Sequence, residues 1–469
     1  MRLFFLLAVV ACATPTTEDL QDTMREVHED TAVTSDSEEQ PLPNYTPAKV
    51  CGECHTRQYT EWQQSMHAYA AISPVFEAMN AKAFRDSNGE VGTFCTGCHA
   101  PVGTELGEKG HTAVADRSDL SKEGITCSYC HSAIDHDGPI GNNNLLTDPE
   151  GPLQGPFQSG GTEGHPSSES SFIQSPEFCG SCHDVFSFPA LRIEEAFTEY
   201  KESPAAQEGI RCQDCHMGQT PGIPGERPKG PSAAGDPGVY PDREQASHFF
   251  AGPDYSMVAN WPFPNDAEAN EKAFTESLER TQTLLENAVK IGFVNLRTIN
   301  DELQIEVNLK VLVNGHGFPT GFTSERQAWI AVTVTGQDDQ ILYQSGDFDR
   351  YGDLRDAHSR EVKEGTIRDD ESLVNFQSKN HLRAGDDTFF RVLETVFPFD
   401  ADWIEKKNLQ PGEARNFIYR LDKPSEPFTV DVQINYRNLP PYLLRALQLD
   451  ELVDQLQVFT IDSKTVEGE

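Results

Sequence analysis

The chain has 469 residues, enough for two or three domains, and 37% of them are apolar. Acidic side chains outnumber basic ones 75 to 37, a net charge of −38, which repels nucleic acid and anionic lipid headgroups and suits a cationic partner. No run of about 18 apolar residues occurs, so no segment reads as a helix spanning a membrane.

Met1-Arg2 and the unbroken apolar run Leu3 to Ala11 have the pattern of a secretory signal, residues 1–11. Val9-Val10-Ala11-Cys12 resembles a bacterial lipobox, which makes Cys12 a lipidation site; the alternative is ordinary cleavage after Ala13. Lipidation is preferred, partly because Cys12 otherwise stands alone. Residues 12–47 then read as a disordered tether, rich in Asp, Glu and Thr and poor in aromatics, with His28 solvated. The expected location is a bacterial periplasm or cell surface, with the lipid as the sole membrane anchor.

Residues 48–264 hold ten of the 11 cysteines in five copies of Cys-x-x-Cys-His. The copies are Cys51–Cys54–His55, Cys95–Cys98–His99, Cys127–Cys130–His131, Cys179–Cys182–His183 and Cys212–Cys215–His216. This is the attachment signal of c-type haem: each thiol forms a thioether to a vinyl group, and the next residue supplies the proximal iron ligand. A redox dithiol or half a zinc site does not require His after every second Cys, and five zinc half-sites cannot pair evenly. The expected cofactor is five covalent haem c. Gly- and Pro-rich stretches such as 137–144 and 221–241 read as loops.

Phe274, Leu278, Leu285 and Val289 recur at helical spacing, predicting a connecting helix within 265–292 that stops near Gly292. The period then falls to two. Leu303, Ile305, Val307, Leu309, Val311 and Val313 alternate with mostly polar neighbours, as do Phe428, Val430, Val432, Ile434 and Tyr436. Trp329 to Val334 and Ile341 to Tyr343 flank a turn at Gly336. The expected fold is mixed: a loop-rich, α-helical multihaem domain, then an antiparallel β-sandwich domain at 293–469. Its strands lie within 293–437, and a helix follows from Tyr442 to about Leu456.

The motifs and their flanks resemble the cytochrome c-552/c-554 superfamily of bacterial multihaem cytochromes. The likeness runs from about residue 48 to 445. It rests on Glu61-Trp62-Gln63-Gln64-Ser65-Met66-His67, Cys98-His99-Ala100-Pro101-Val102-Gly103, Glu123-Gly124-Ile125-Thr126-Cys127 and His165 with Ser175 and Glu177. It continues in Gly209-Ile210-Arg211-Cys212, Ser247-His248-Phe249 and Asn314-Gly315-His316-Gly317-Phe318-Pro319-Thr320-Gly321. The resemblance implies closely stacked haems. Most members move electrons, and some relatives oxidise or reduce small nitrogen or sulfur compounds.

A purely electron-transferring haem needs a sixth ligand. A helix from His55 to His67 would rise about 18 Å, too far for both rings to share one iron, so His67 is expected on a neighbouring haem. His165, His248 and His316 match the family's segments and are the next distal candidates, His316 reaching in from the β part. His111 is preferred to His136 for the fifth place, because His136 lies too close to His131. His358 and His381 read as surface residues, and Met66, Met217 and Met257 as poorer ligand candidates.

These features predict an electron carrier rather than a catalyst, working between redox proteins that present a basic docking face. The alternative is an oxidoreductase with one five-coordinate haem for a small nitrogen or sulfur compound. No Cys-x-x-Cys-Lys motif is present, so the Lys-ligated haem of ammonia-forming nitrite reductases is absent. Assembly into an oligomer or haem filament stays open.

Overall fold

The computed structural model describes residues 44–157, 164–187, 191–225, 227–234, 242–385 and 390–469. The signal, Cys12 and most of the tether lie outside these residues. The tether's expected end does not hold at 44–47. Tyr45 is 4% exposed and donates to Thr147 at 3.0 Å and to Glu105, so its ring is already core.

The described residues of 44–264 form short helices joined by loops, with four two-stranded sheets among them. The longest helix here is α1, Pro74–Asp86. Ser73 caps it by accepting the Phe76 N–H at 3.4 Å, Pro74 fills its first turn, and Gly89 at φ +88° closes it. Farther along lies the short α2, Ala196–Lys201. The connecting helix α3 runs Ala267–Glu286, with the Asp266 carboxylate accepting the Ala269 N–H at 3.0 Å. It ends before the expected Gly292. Val289 fits the helical period after Leu285, but with Ile291 it also fits a strand, and pairing with Val311 and Leu309 decides.

The β part contains β1 (Val289–Ile299), β2 (Glu302–Val311), β3 (Gln327–Thr335), β4 (Ile341–Ser345), β5 (Val374–Asn375) and β6 (Lys379–Gly385). These are followed by β7 (Phe390–Thr395), β8 (Trp403–Glu405), β9 (Ala414–Asp422), β10 (Phe428–Arg437), helix α4 (Pro441–Ala446) and β11 (Phe459–Gly468). Three antiparallel sheets result: β9–β2–β1; β4–β3–β10–β11, with β5 also on β3; and β7–β6–β8. Inward residues of the two larger sheets, from Ile305 and Val307 to Val332 and Val432, are 0% exposed and belong to one apolar cluster. Each such side chain contributes about 1.5–3 kcal/mol through burial.

The predicted helix Tyr442 to Leu456 is interrupted. Gln448 takes φ +62°, α4 stops at Ala446, and only 3-10 turns occupy Asp450–Gln455. Strand β11 falls outside the strands expected within 293–437, because mostly polar residues follow Ile461. Its partner β10 fixes it, from Tyr436 against Phe459 to Phe428 against Gly468. The same cluster takes up Val75, Ala78 and Met79 of α1 and Phe274 and Leu278 of α3, so the haem segment and β part lie in one unit.

Candidate haem sites

Each motif is a turn of helix or its immediate continuation. The His55 N–H donates to the Cys51 carbonyl at 2.8 Å, and His183 to Cys179 at 3.0 Å. Positions i, i+3 and i+4 share one helical face, so two thiols and one imidazole project together. Thiols of different motifs also lie close together: Cys51 beside Cys127, Cys98 beside Cys182, and Cys179 beside Cys212.

Three motif histidines face a histidine from elsewhere at nearly one spacing. Ring centroids are 6.1 Å apart for His55 and His165, 6.2 Å for His183 and His67, and 6.1 Å for His216 and His316. Direct ring contact is closer than this. Two imidazole–metal bonds of about 2 Å, with the ring radii added, give a centroid spacing of roughly 6 Å.

Hydrogen bonds at the far nitrogen complete the arrangement. Nδ1–H of His55 donates to the Ser232 carbonyl at 2.7 Å, His131 to Gln154 at 2.6 Å, and His216 to Ala251 at 2.7 Å. Among the incoming rings, His248 donates to Ala246 at 3.0 Å, His165 to Pro166 at 3.1 Å, and His316 to Gly317 at 2.9 Å. Such bonds fix the tautomer with Nε2 free to ligate. Burial also favours the neutral, ligating ring. It pulls His67 down to about 3 and His248 down to about 4, and it lowers His131, His183, His216 and His316. The residues therefore fit haem iron.

Among the described ring contacts His131 has no such pair, and it lies within electrostatic reach of His248. His99 differs. Phe76 lies flat on it, with centroids 4.1 Å apart and planes 7° apart, while its Nδ1 has no hydrogen-bond partner. Stacking covers a face of the ring rather than its nitrogen edge. Burial draws His99 down to about 4, against the nearby Ala70 carbonyl.

His111, read as the fifth distal ligand, finds no support here. It is exposed, with its ring 4.3 Å from Phe84, and among the described residues it pairs with no motif histidine. Packing against α1 holds it outward. His136 sits over Gly138 and Phe172. His358 and His381 are more buried than expected, stacked on Tyr442 and Trp403 and paired with Glu394 and Glu405. Met257 belongs to the β core. Phe76 carried no signal in the sequence, since an aromatic in an amphipathic helix reads as ordinary core.

A set of Cys-x-x-Cys-His turns presenting neutral imidazoles defines a c-type cytochrome that carries several haems. Residues 50–132 match the family described as cytochrome c554 and c-prime. The fold of the chain is similar to that of a penta-heme cytochrome c552 from Thermochromatium tepidum. That match has a TM-score of 0.59 and 16% identity, and covers 90% of this chain and 99% of the other. With the five motifs, these likenesses support a multihaem c-type cytochrome family. No curated protein matches. Among the described residues, no helix is long and apolar enough to cross a membrane.

Proposed function

We propose that the chain is an exported pentahaem cytochrome, anchored by lipid at Cys12, that passes electrons between redox partners. Each motif's two cysteines tether one haem and its histidine supplies the proximal ligand. The distal ligands are His165 for the motif of His55, His67 for His183, His316 for His216, and His248 for His131. Haem c supplies reversible one-electron iron chemistry, and the protein tunes it through ligands, burial and hydrogen bonds. The three histidine pairs at 6.1–6.2 Å carry this reading.

The close-lying sulfurs suggest which haems are neighbours: first with third, second with fourth, and fourth with fifth. Electrons would then pass between the first and third haems, and among the second, fourth and fifth. The two larger β sheets are read as the layers of a sandwich. The net charge of −38 attracts a donor or acceptor with a basic face, and their reaction slows as salt rises.

A second reading has a specific observation behind it: no histidine ring faces His99 among the described residues. That iron would then keep one open position, where a small nitrogen or sulfur compound binds and changes oxidation state. The test counts carbon monoxide taken up by the reduced holoprotein. No uptake means a pure carrier, and one molecule per chain means an open haem at His99. Two or more would overturn the ligand assignments.

A further inference from the structure

We infer that Glu199 is a positioning residue for the distal ligand His316: the Glu199 carboxylate clamps the loop that brings this histidine from the β part onto the haem segment. The inference rests on His316 being an axial ligand, as proposed above.

Glu199 lies on α2, and α2 is fixed to the fourth motif. The Phe197 N–H donates to the His183 carbonyl at 3.0 Å, and the Thr198 hydroxyl donates to the Asp184 carboxylate at 2.6 Å. The Phe197 ring also packs where a side chain on Gly180 would stand, 2.4 Å from that position. From this base the Glu199 carboxylate receives three donors, all from the β part. Oε2 accepts the Gly317 N–H at 3.1 Å and the Thr320 hydroxyl at 2.6 Å, and Oε1 accepts the Asn408 amide at 2.7 Å.

Gly317 directly follows His316, so one of these bonds holds the backbone beside the ligand. The fit leaves no room for a side chain there. A Cβ on Gly317 would meet the Asn408 amide at 2.5 Å and Glu199 Oε1 at 3.0 Å. Phe318 and Leu409 exchange both backbone hydrogen bonds at 2.8 Å, which ties the loop to the Asn408 segment that Glu199 also grips. One carboxylate thus joins the fourth motif's helix to the loop carrying the fifth motif's partner, and His316 stays 6.1 Å from His216. Without it, the loop keeps its tie to Leu409 but loses its registration against the haem segment.

The test uses holoprotein variants, with the mass of each confirming its bound haems. The readouts are the count and rate of carbon monoxide binding to the reduced protein, and the high-spin ferric signal. His316→Ala should add one full equivalent of bound gas over wild type. Glu199→Ala should admit gas at that same haem on the order of tenfold faster than wild type, since hydrogen bonds to a charged group are the strong ones. Thr320→Val, which removes one hydroxyl, should give a smaller increase and serves as the test should Glu199→Ala fail to mature. If His316→Ala adds the equivalent while Thr320→Val and any mature Glu199→Ala bind gas as wild type does, the clamp is overturned and the ligand assignment stands. If His316→Ala adds nothing, the assignment fails and the clamp with it.

Discussion

Phe76 lies face to face with His99 at 4.1 Å, the closest approach of any aromatic ring to a motif histidine among the described ring contacts. Arg117 backs that stack, its guanidinium 5.6 Å from the Phe76 ring and hydrogen-bonded to Glu77 at 3.0 Å and to the Thr112 carbonyl at 3.1 Å. The imidazole is covered by packing, whereas His55, His131 and His216 each have a carbonyl at Nδ1. Phe76→Ala should therefore free the ring and admit water, favouring the oxidised iron. Redox titration should show one haem falling in potential by on the order of tens of millivolts, with the rest unmoved. Stability should fall by about 3 kcal/mol, measured by denaturant unfolding of the holoprotein.

Gly124 governs His67 in a similar way. It sits at φ +67°, and a Cβ there would stand 2.3 Å from the His67 carbonyl oxygen. That carbonyl accepts the Ile125 N–H at 3.0 Å, so the turn before the third motif sets the backbone of a histidine two motifs away from its partner His183. Gly124→Ala should cost about 1–3 kcal/mol in backbone strain alone, because φ +67° with ψ −127° is a conformation suited to glycine, with the clash added. Displaced, His67 should leave the fourth haem open. Carbon monoxide uptake rising by one equivalent checks this, and an unchanged count would show that the carbonyl can move without the ring.

The attachment sites were legible because covalent chemistry dictates both residue type and spacing. Cys212-x-x-Cys215-His216 reads the same in any fold. Distal ligands are a different matter, since no local rule ties His165 to His55. His67 could be assigned to a neighbouring haem only because helix length excluded its own. His316 and His248 rested on resemblance, and no local sequence separates a ligand from a histidine packed on an aromatic ring, as His111 is on Phe84. Alternation exposed β2, β3 and β10, whose inner faces are buried throughout. It missed β11, where polar residues follow Ile461 and the strand is held by β10 rather than by its own pattern. Glu199 was invisible, because its three donors come from two distant loops.

Two carboxylates in the β part should give stability opposite pH slopes. Glu325 is raised to about 7 by burial, with Oε1 unpartnered and only partial relief from Arg326. Its folded value lies above the ordinary 4.5, so its contribution is complete below pH 4.5 and is lost as pH rises towards 7. Burial raises Glu394 too, but hydrogen bonds from His358 and Lys379 overcome this and hold it at about 2. That contribution is present above 4.5 and is lost as pH falls towards 2. Glu325→Gln should stabilise the protein at pH 7 and flatten the curve above 4.5, whereas Glu394→Gln should flatten only the acid limb. Thermal unfolding across pH 2 to 8 separates them, and identical profiles for the two variants would refute both assignments.

Arg326 and Asp254 connect the β part to the last loop of the haem segment. The guanidinium donates to both carboxylate oxygens, at 2.7 and 2.8 Å, and once more to the Asn438 carbonyl at 3.1 Å. Asn438 also accepts the Tyr255 hydroxyl at 3.0 Å, so the loop is fastened at two adjacent residues. Burial lowers Arg326, and the charge of Asp254 more than restores it. Removing the carboxylate would leave a half-buried cation without those hydrogen bonds, a loss of about 1.5–3 kcal/mol, whereas replacing both residues with apolar ones restores part of that. Asp254→Ala should therefore destabilise the holoprotein more than Asp254→Ala with Arg326→Met. The double variant should keep its haem spectrum, because neither residue touches a proposed ligand. Equal losses in the single and double variants would mean that the pair contributes packing rather than charge.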